Sequence, residues 1–207
     1  MNVAKSLLVV EDAPEVRQML EQILRLNGYD VATAQNGIEA LAAIQKQRPE
    51  LIVTDILMPK MDGFSLIYRL RTDAKTRNIP VVFLTATYVS EDDKGFASTI
   101  GATRFLQKPI DTHDFLEIIV ELLNQPKAEV PAPPKEAEFF EKYEARLEAK
   151  LAEKKSQIAR AQQLLGPLPP GERPSFEAII RQSQQELQMV EVELQQVHQY
   201  VKRRTKQ

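Results

Sequence analysis

Four polar features stand out by residue type and by where the chain places them. Glu11-Asp12 follows the apolar run Ser6-Leu-Leu-Val-Val10, and Asp55 ends the run Leu51-Ile-Val-Thr54. Thr85 ends Ile79-Pro-Val-Val-Phe-Leu84, and Lys108 follows Thr103-Arg-Phe-Leu-Gln107. Taken singly, an acid after a strand is a turn or cap residue, and a terminal Thr or Lys is an ordinary loop group. Brought together, they are a reaction centre. Clustered carboxylates repel one another and favour a hard divalent cation with oxygen ligands, so Mg²⁺ is the expected cofactor. Beside such a cation, one carboxylate can attack phosphorus to give an acyl phosphate. A lysine ammonium and a hydroxyl then hold the remaining phosphoryl oxygens. This chemistry needs neither Cys, which the chain lacks, nor His, of which it has 2. His113 reads as a surface or first-turn helix residue, and His198 as a solvated helix residue.

The elements that must position these groups are legible as alternating patterns. Each apolar, β-branched run bounded by turn formers reads as a buried strand, and Tyr29 to Ala34 adds another. Between them lie helical patterns. The first begins at Pro14, carries Val16, Met19, Leu20, Ile23, Leu24 and Leu26, and stops at Asn27-Gly28. Others run over Gly37 to Gln47, Phe64 to Leu70 and Ser90 to Ile100, and Asp111 N-caps the last. Strands alternating with helices imply right-handed crossovers and a parallel sheet covered on both faces. The expected fold is α/β, a flavodoxin-like (βα)5 doubly wound sheet of order 2-1-3-4-5. That order gathers the four polar features on one edge, at the carboxyl ends of the strands.

Past Gln125 the composition changes. Residues 1–125 form the expected first domain, and residues 126–134 are a Pro/Ala-rich linker. Residues 135–207 read as a two-helix coiled-coil hairpin, with arms about 135–165 and 175–205. Residues 166–174, rich in Pro and Gly, read as non-helical. The second arm carries a seam in steps of four and three: Phe176, Ile180, Ser183, Leu187, Val190, Leu194, Val197 and Val201. The first arm carries a weaker one: Phe140, Glu144, Leu147, Leu151, Lys154, Ile158, Ala161 and Leu165. Two helices with such thin stripes bury little, so a homodimer or a partner protein is the expected completion.

Composition narrows the function classes. Hydrophobic residues make up 43% and charged residues 27%, ordinary values for a globular chain. Residues 1–126 carry 13 Lys+Arg against 17 Asp+Glu, and residues 127–207 carry 14 against 12. Neither part has the basic excess of a nucleic-acid-binding domain, so nucleic acid is not the expected partner. No apolar run is long enough to span a bilayer, and Met1-Asn-Val-Ala-Lys5 lacks a signal-peptide core. A cytoplasmic location without membrane contact is expected.

Residues 5–124 resemble the receiver domain of bacterial two-component response regulators. The matching segments are Leu7-Leu-Val-Val-Glu-Asp12, Asp55-Ile-Leu-Met-Pro-Lys-Met-Asp-Gly63, Pro80-Val-Val-Phe-Leu-Thr-Ala86 and Gly101-Ala-Thr-Arg-Phe-Leu-Gln-Lys-Pro109. The resemblance implies that Asp55 accepts a phosphoryl group from a histidine kinase or phosphotransfer protein. It implies that Glu11, Asp12, Asp55 and the Leu57 backbone carbonyl bind Mg²⁺. Thr85 and Lys108 would engage the phosphoryl group, Thr85 and Phe105 would switch position, and the Lys108–Pro109 bond would be cis. Leu57 and Thr87 lie where the family varies its hydrolysis rate, and neither orients water well, so a long-lived phosphoryl group is expected. Such a protein is a signalling phosphoacceptor rather than an enzyme. A haloacid-dehalogenase reading would need a second Asp at Leu57, and an FMN site would need a phosphate-cradling loop where Glu11-Asp-Ala-Pro14 stands. The expected output is protein–protein contact through the hairpin. The alternative is DNA-binding transcription control using the C-terminal helices, whose one basic cluster is Lys202-Arg-Arg-Thr-Lys206.

Overall fold

A computed structural model describes residues 4–85, 95–96, 98–125, 133–167, 169, 171 and 173–204. The chain divides into two compact units, Met1–Pro133 and Pro134–Gln207.

The first unit is built on five short strands: β1 (Ser6–Val10), β2 (Asp30–Ala34), β3 (Leu51–Asp55), β4 (Val81–Thr85) and β5 (Arg104–Gln107). All neighbours pair in parallel, in the order β2-β1-β3-β4-β5. This is the doubly wound order expected from the alternation of patterns. β3 is buried along its whole length and β1 nearly so, because helices cover both faces of a parallel sheet. Edge strand β2 is only partly covered, burying Val31 and Ala34 while Asp30, Ala32 and Thr33 are exposed.

The covering helices are α1 (Pro14–Leu26), α2 (Gly37–Lys46), α3 (Gly63–Thr72) and α4 (Thr112–Asn124). The helix expected from Ser90 to Ile100 lies largely outside the described residues, although Gly95, Phe96, Ser98 and Thr99 are helical. On one face Leu20 and Leu24 of α1 join Phe115, Ile119 and Leu122 of α4 over Leu7, Val9, Val53, Val82 and Leu84. Caps fix where the helices begin. Asn36 accepts from the Glu39 amide (3.1 Å), Asp62 from that of Ser65 (2.8 Å), and Asp111 from those of His113 (2.8 Å) and Asp114 (3.1 Å). α1 has no side-chain cap; Pro14 opens it, where a missing N–H costs nothing.

The second unit is a hairpin of α5 (Glu136–Leu165) and α6 (Arg173–Arg204), each about 45 Å long. α6 begins at Arg173, so Arg173 and Pro174 are helical rather than part of the turn. A proline in the first turn of a helix gives up no intrahelical hydrogen bond. The expected seam is the buried one. Phe140, Leu147, Ile158, Ile180, Val190 and Val197 are buried, and Leu151, Leu187, Leu194 and Val201 are half-buried. Two fully buried rings, Phe139 and Tyr143, lie outside the expected stripe. Phe139 packs on Phe140 with centroids 4.9 Å apart and on Tyr143 at 5.6 Å. Buried Glu193 of α6 accepts a short hydrogen bond from the Tyr143 hydroxyl. The linker expected over 126–134 lies mostly outside the described residues.

Candidate functional site

Parallel pairing sets the site. The residues just beyond β1, at the end of β3 and just beyond β5 come to one edge because those strands all point the same way. β3 registers Asp55 against Leu84, and β4 registers Thr85 against Gln107, so Lys108 follows immediately. The ammonium of Lys108 donates to Glu11 Oε2 and to Asp55 Oδ2, both at 2.7 Å. Glu11 is 1% exposed and Asp55 9%, while Asp12 is exposed.

The backbone holds Asp55 from its other side. Its Oδ1 accepts from the Ile56 amide at 2.6 Å, and the Leu57 amide lies 3.4 Å from the same oxygen. The carboxylate therefore has one oxygen fixed by the chain that follows β3 and the other aimed at the lysine. The loop is in turn tied down: the Gly63 amide donates to Ile56 O (2.8 Å), and the Gly37 amide to Met61 O (3.0 Å). Gly63 is obligatory here, since a Cβ would overlap the Asp55 carbonyl oxygen and meet Phe83 Cε1 at 2.8 Å. Lys60 takes a left-handed φ of 68° in the turn between these ties.

The electrostatics follow from burial and crowding. Burial pushes the Glu11 carboxyl above its ordinary value and the neighbouring Asp55 pushes it further, against the pull of Lys108. Burial alone would lower the Lys108 ammonium, but Asp55 and Glu11 together outweigh it and hold it above the usual lysine value. One oxygen from each of Glu11, Asp12 and Asp55 lies within 4.8 Å of the others. Three carboxylates against one ammonium leave an excess of negative charge, and every donor is a hard oxygen. That donor set suits Mg²⁺.

Of the other residues singled out from the sequence, Phe105 is half-buried with its ring 5.2 Å from that of Phe83. The Lys108–Pro109 peptide bond is cis. Thr85 closes β4, and Thr87 lies outside the described residues. His113 is exposed in the first turn of α4. His198 is not simply solvated: its side chain is 39% exposed and its Nε2 lies 2.6 Å from Glu144 Oε1. The expectation of a surface histidine is compatible with that exposure, and α5 adds a carboxylate opposite it that the sequence did not show. Arg17, not anticipated from the sequence, donates to the carbonyls of Glu11 (2.6 Å) and Asp12 (3.1 Å), fixing the acidic loop from α1. Its signal was its position one turn into a helix that starts beside two acids.

A parallel sheet of this order with acids and a lysine at its carboxyl edge defines a flavodoxin-like α/β module with its site at the strand ends. The sequence profile described as "Response regulator receiver domain" matches residues 7–120, and the chain belongs to that family. It is similar to Protein PilH of Pseudomonas aeruginosa, at 34% identity over 56% of this chain and 96% of that protein. It is also similar to the DNA-binding dual master transcriptional regulator RpaA of Synechocystis, at 36% identity over 65% of this chain. The chain spans 55% of the length of that regulator. Among solved structures, chemotaxis response regulator CheY4 of Vibrio cholerae matches with a TM-score of 0.55 and 33% identity, over 58% of this chain and 99% of that one. The profile match ends before the hairpin begins. As a response-regulator receiver, the first unit is a module of two-component signalling.

Proposed function

We propose that Asp55 accepts a phosphoryl group from a histidine kinase or phosphotransfer protein, and that the hairpin delivers the output by protein–protein contact. The observation that carries this reading is the convergence of Glu11, Asp55 and Lys108 through two 2.7 Å contacts, with the far oxygen of Asp55 held by the following amide. Glu11, Asp12, Asp55 and the Leu57 carbonyl would hold Mg²⁺. When bound, the cation would offset the charge on the transferring phosphoryl oxygens. Asp55 supplies the lone pair: its new O–P bond forms as the P–N bond of a phosphohistidine donor breaks, and the imidazole leaves. Lys108 would pass from the carboxylate to the phosphoryl oxygens, and Thr85, which closes the adjacent strand, would follow the phosphoryl group. Phe105, packed on Phe83, is the ring nearest in sequence to Lys108 whose position such a change would alter.

The test is intact-protein mass after incubation with acetyl phosphate and Mg²⁺. Wild type should gain one phosphoryl group and Asp55→Asn none; labelling of Asp55→Asn to the wild-type extent would overturn the reading. With Leu57 two residues after Asp55 and Thr87 two after Thr85 in the sequence, the label should persist well beyond seconds once donor is removed.

A second reading uses the C-terminal helices on DNA. The similarity to RpaA and the terminal cluster Lys202-Arg-Arg-Thr-Lys206 favour it. A salt-sensitive shift of duplex DNA in a gel would support this reading, and no binding at low salt would remove it.

A further inference from the structure

The hairpin carries a second cluster of metal-binding side chains, chemically unlike the one in the receiver. Glu144 and Glu148 lie four residues apart on α5, hence on one face of that helix. Across from them on α6, His198 places Nε2 at 2.6 Å from Glu144 Oε1. One oxygen from each glutamate and one imidazole nitrogen lie within 4.8 Å of one another. Among the described residues no Lys or Arg lies within ion-pair distance of Glu148.

An interhelix ion pair accounts for His198 and Glu144 but leaves Glu148 unexplained. Two carboxylates converge on an imidazole that carries at most one charge, so the trio is short of positive charge. The imidazole also separates it from the acids of the receiver. A purely oxygen set suits Mg²⁺, whereas one imidazole with two carboxylates suits Zn²⁺, bound by three protein ligands with water in the fourth position. Zn–N and Zn–O bonds of about 2.0–2.2 Å call for ligand atoms separated by roughly 3.4 Å, which small side-chain rotations would reach from here. The other histidine-containing group, His113, Asp114 and Glu117, sits exposed within a single helix and bridges nothing.

We infer that Glu144, Glu148 and His198 form a transition-metal site, Zn²⁺ by its chemistry, that clamps the open end of the hairpin. Leu165 and Arg173 end and begin the two helices at the connected end of the hairpin, and the trio lies towards the other. Binding only when α5 and α6 are paired, the ion would stabilise the paired state by mass action.

The experiment is calorimetric titration of the full-length protein with Zn²⁺ in excess Mg²⁺, which keeps the receiver acids occupied. A single Zn²⁺ should bind wild type and Asp55→Asn alike, and raise the temperature at which helical ellipticity is lost. Affinity should fall roughly tenfold or more in His198→Gln and in Glu148→Gln. Because Glu148 is exposed, its substitution leaves the helices folded, and unchanged ellipticity verifies this. Absence of Zn²⁺ binding by wild type would overturn the inference. So would wild-type affinity in Glu148→Gln, or loss of binding in Asp55→Asn or His113→Gln.

Discussion

In the receiver, Glu11, Asp55 and Lys108 meet because parallel strands end at one edge; in the hairpin, Tyr143 meets Glu193 and Glu144 meets His198 because two antiparallel helices hold a register. The first arrangement sits on a sheet buried on both faces, with amide hydrogen bonds and Gly63 fixing the loop around Asp55. The second depends on one apolar seam, interrupted by polar residues that must find partners across it. Lys154 meets Glu186 at 2.5 Å and Lys155 meets Glu191 at 3.4 Å. A charge at a sheet edge is thus held partly by backbone, as Asp55 Oδ1 is by the Ile56 amide, whereas a charge in a helix seam is only as well placed as the partner helix.

Substitutions can sharpen that contrast. The largest effect on folding is expected from Lys108→Met, which leaves two buried carboxylates facing each other and should cost about 2–4 kcal/mol in denaturant unfolding. Added Mg²⁺ should narrow the deficit. Because the folded protein holds the Lys108 ammonium above its ordinary value of 10.5, its stabilising contribution is complete below that pH and lost as pH rises through the folded-state value. The difference between wild type and Lys108→Met should therefore persist at neutral pH and close under strongly alkaline conditions. A deficit that grows with alkali would break the account of the bridge.

Gly63→Ala should cost about 1–3 kcal/mol, since the added methyl must displace the Asp55 backbone or the Phe83 ring. Phosphoryl labelling should fall with it, because the displaced atoms carry the acceptor. The hairpin should respond more mildly. Tyr143→Phe removes the hydroxyl that donates to buried Glu193 and should cost about 1–2 kcal/mol in loss of helical ellipticity. It should leave labelling of Asp55 unchanged; an equal loss in both readouts would contradict the separation of roles.

The sequence shows the sheet more plainly than the hairpin's polar contacts, for a physical reason. Strands such as Leu51 to Thr54 declare themselves by continuous apolar character, and alternation with helices leaves few topologies. The site edge follows from that order, which is why the sequence alone gathers Glu11, Asp12, Asp55, Thr85 and Lys108 at one end of the sheet. The bridging of Glu11 and Asp55 by one ammonium could not be read, because it depends on side-chain reach across three strands. Buried polar groups were missed for the same reason. Glu193 resembles a solvated helix residue until Tyr143 is placed opposite it. Arg71 resembles a surface cation, yet it is 2% exposed, with its guanidinium donating to the carbonyls of Ile79 (3.0 Å) and Gly101 (2.7 Å). Burial pulls it down to about 10, still charged at neutral pH. In the hairpin, a seven-residue repeat selects Phe140 and passes over Phe139 and Tyr143, which a single stripe cannot include.

On the proposed reading, the state of Asp55 controls assembly through the hairpin. Its most direct test is the molar mass of the full-length protein by light scattering, with Mg²⁺ alone and with Mg²⁺ plus beryllium fluoride, which mimics a phosphoryl group on Asp55. The mass of wild type should change between the two conditions, and that of Asp55→Asn should not. The same mass in both conditions for wild type would contradict it.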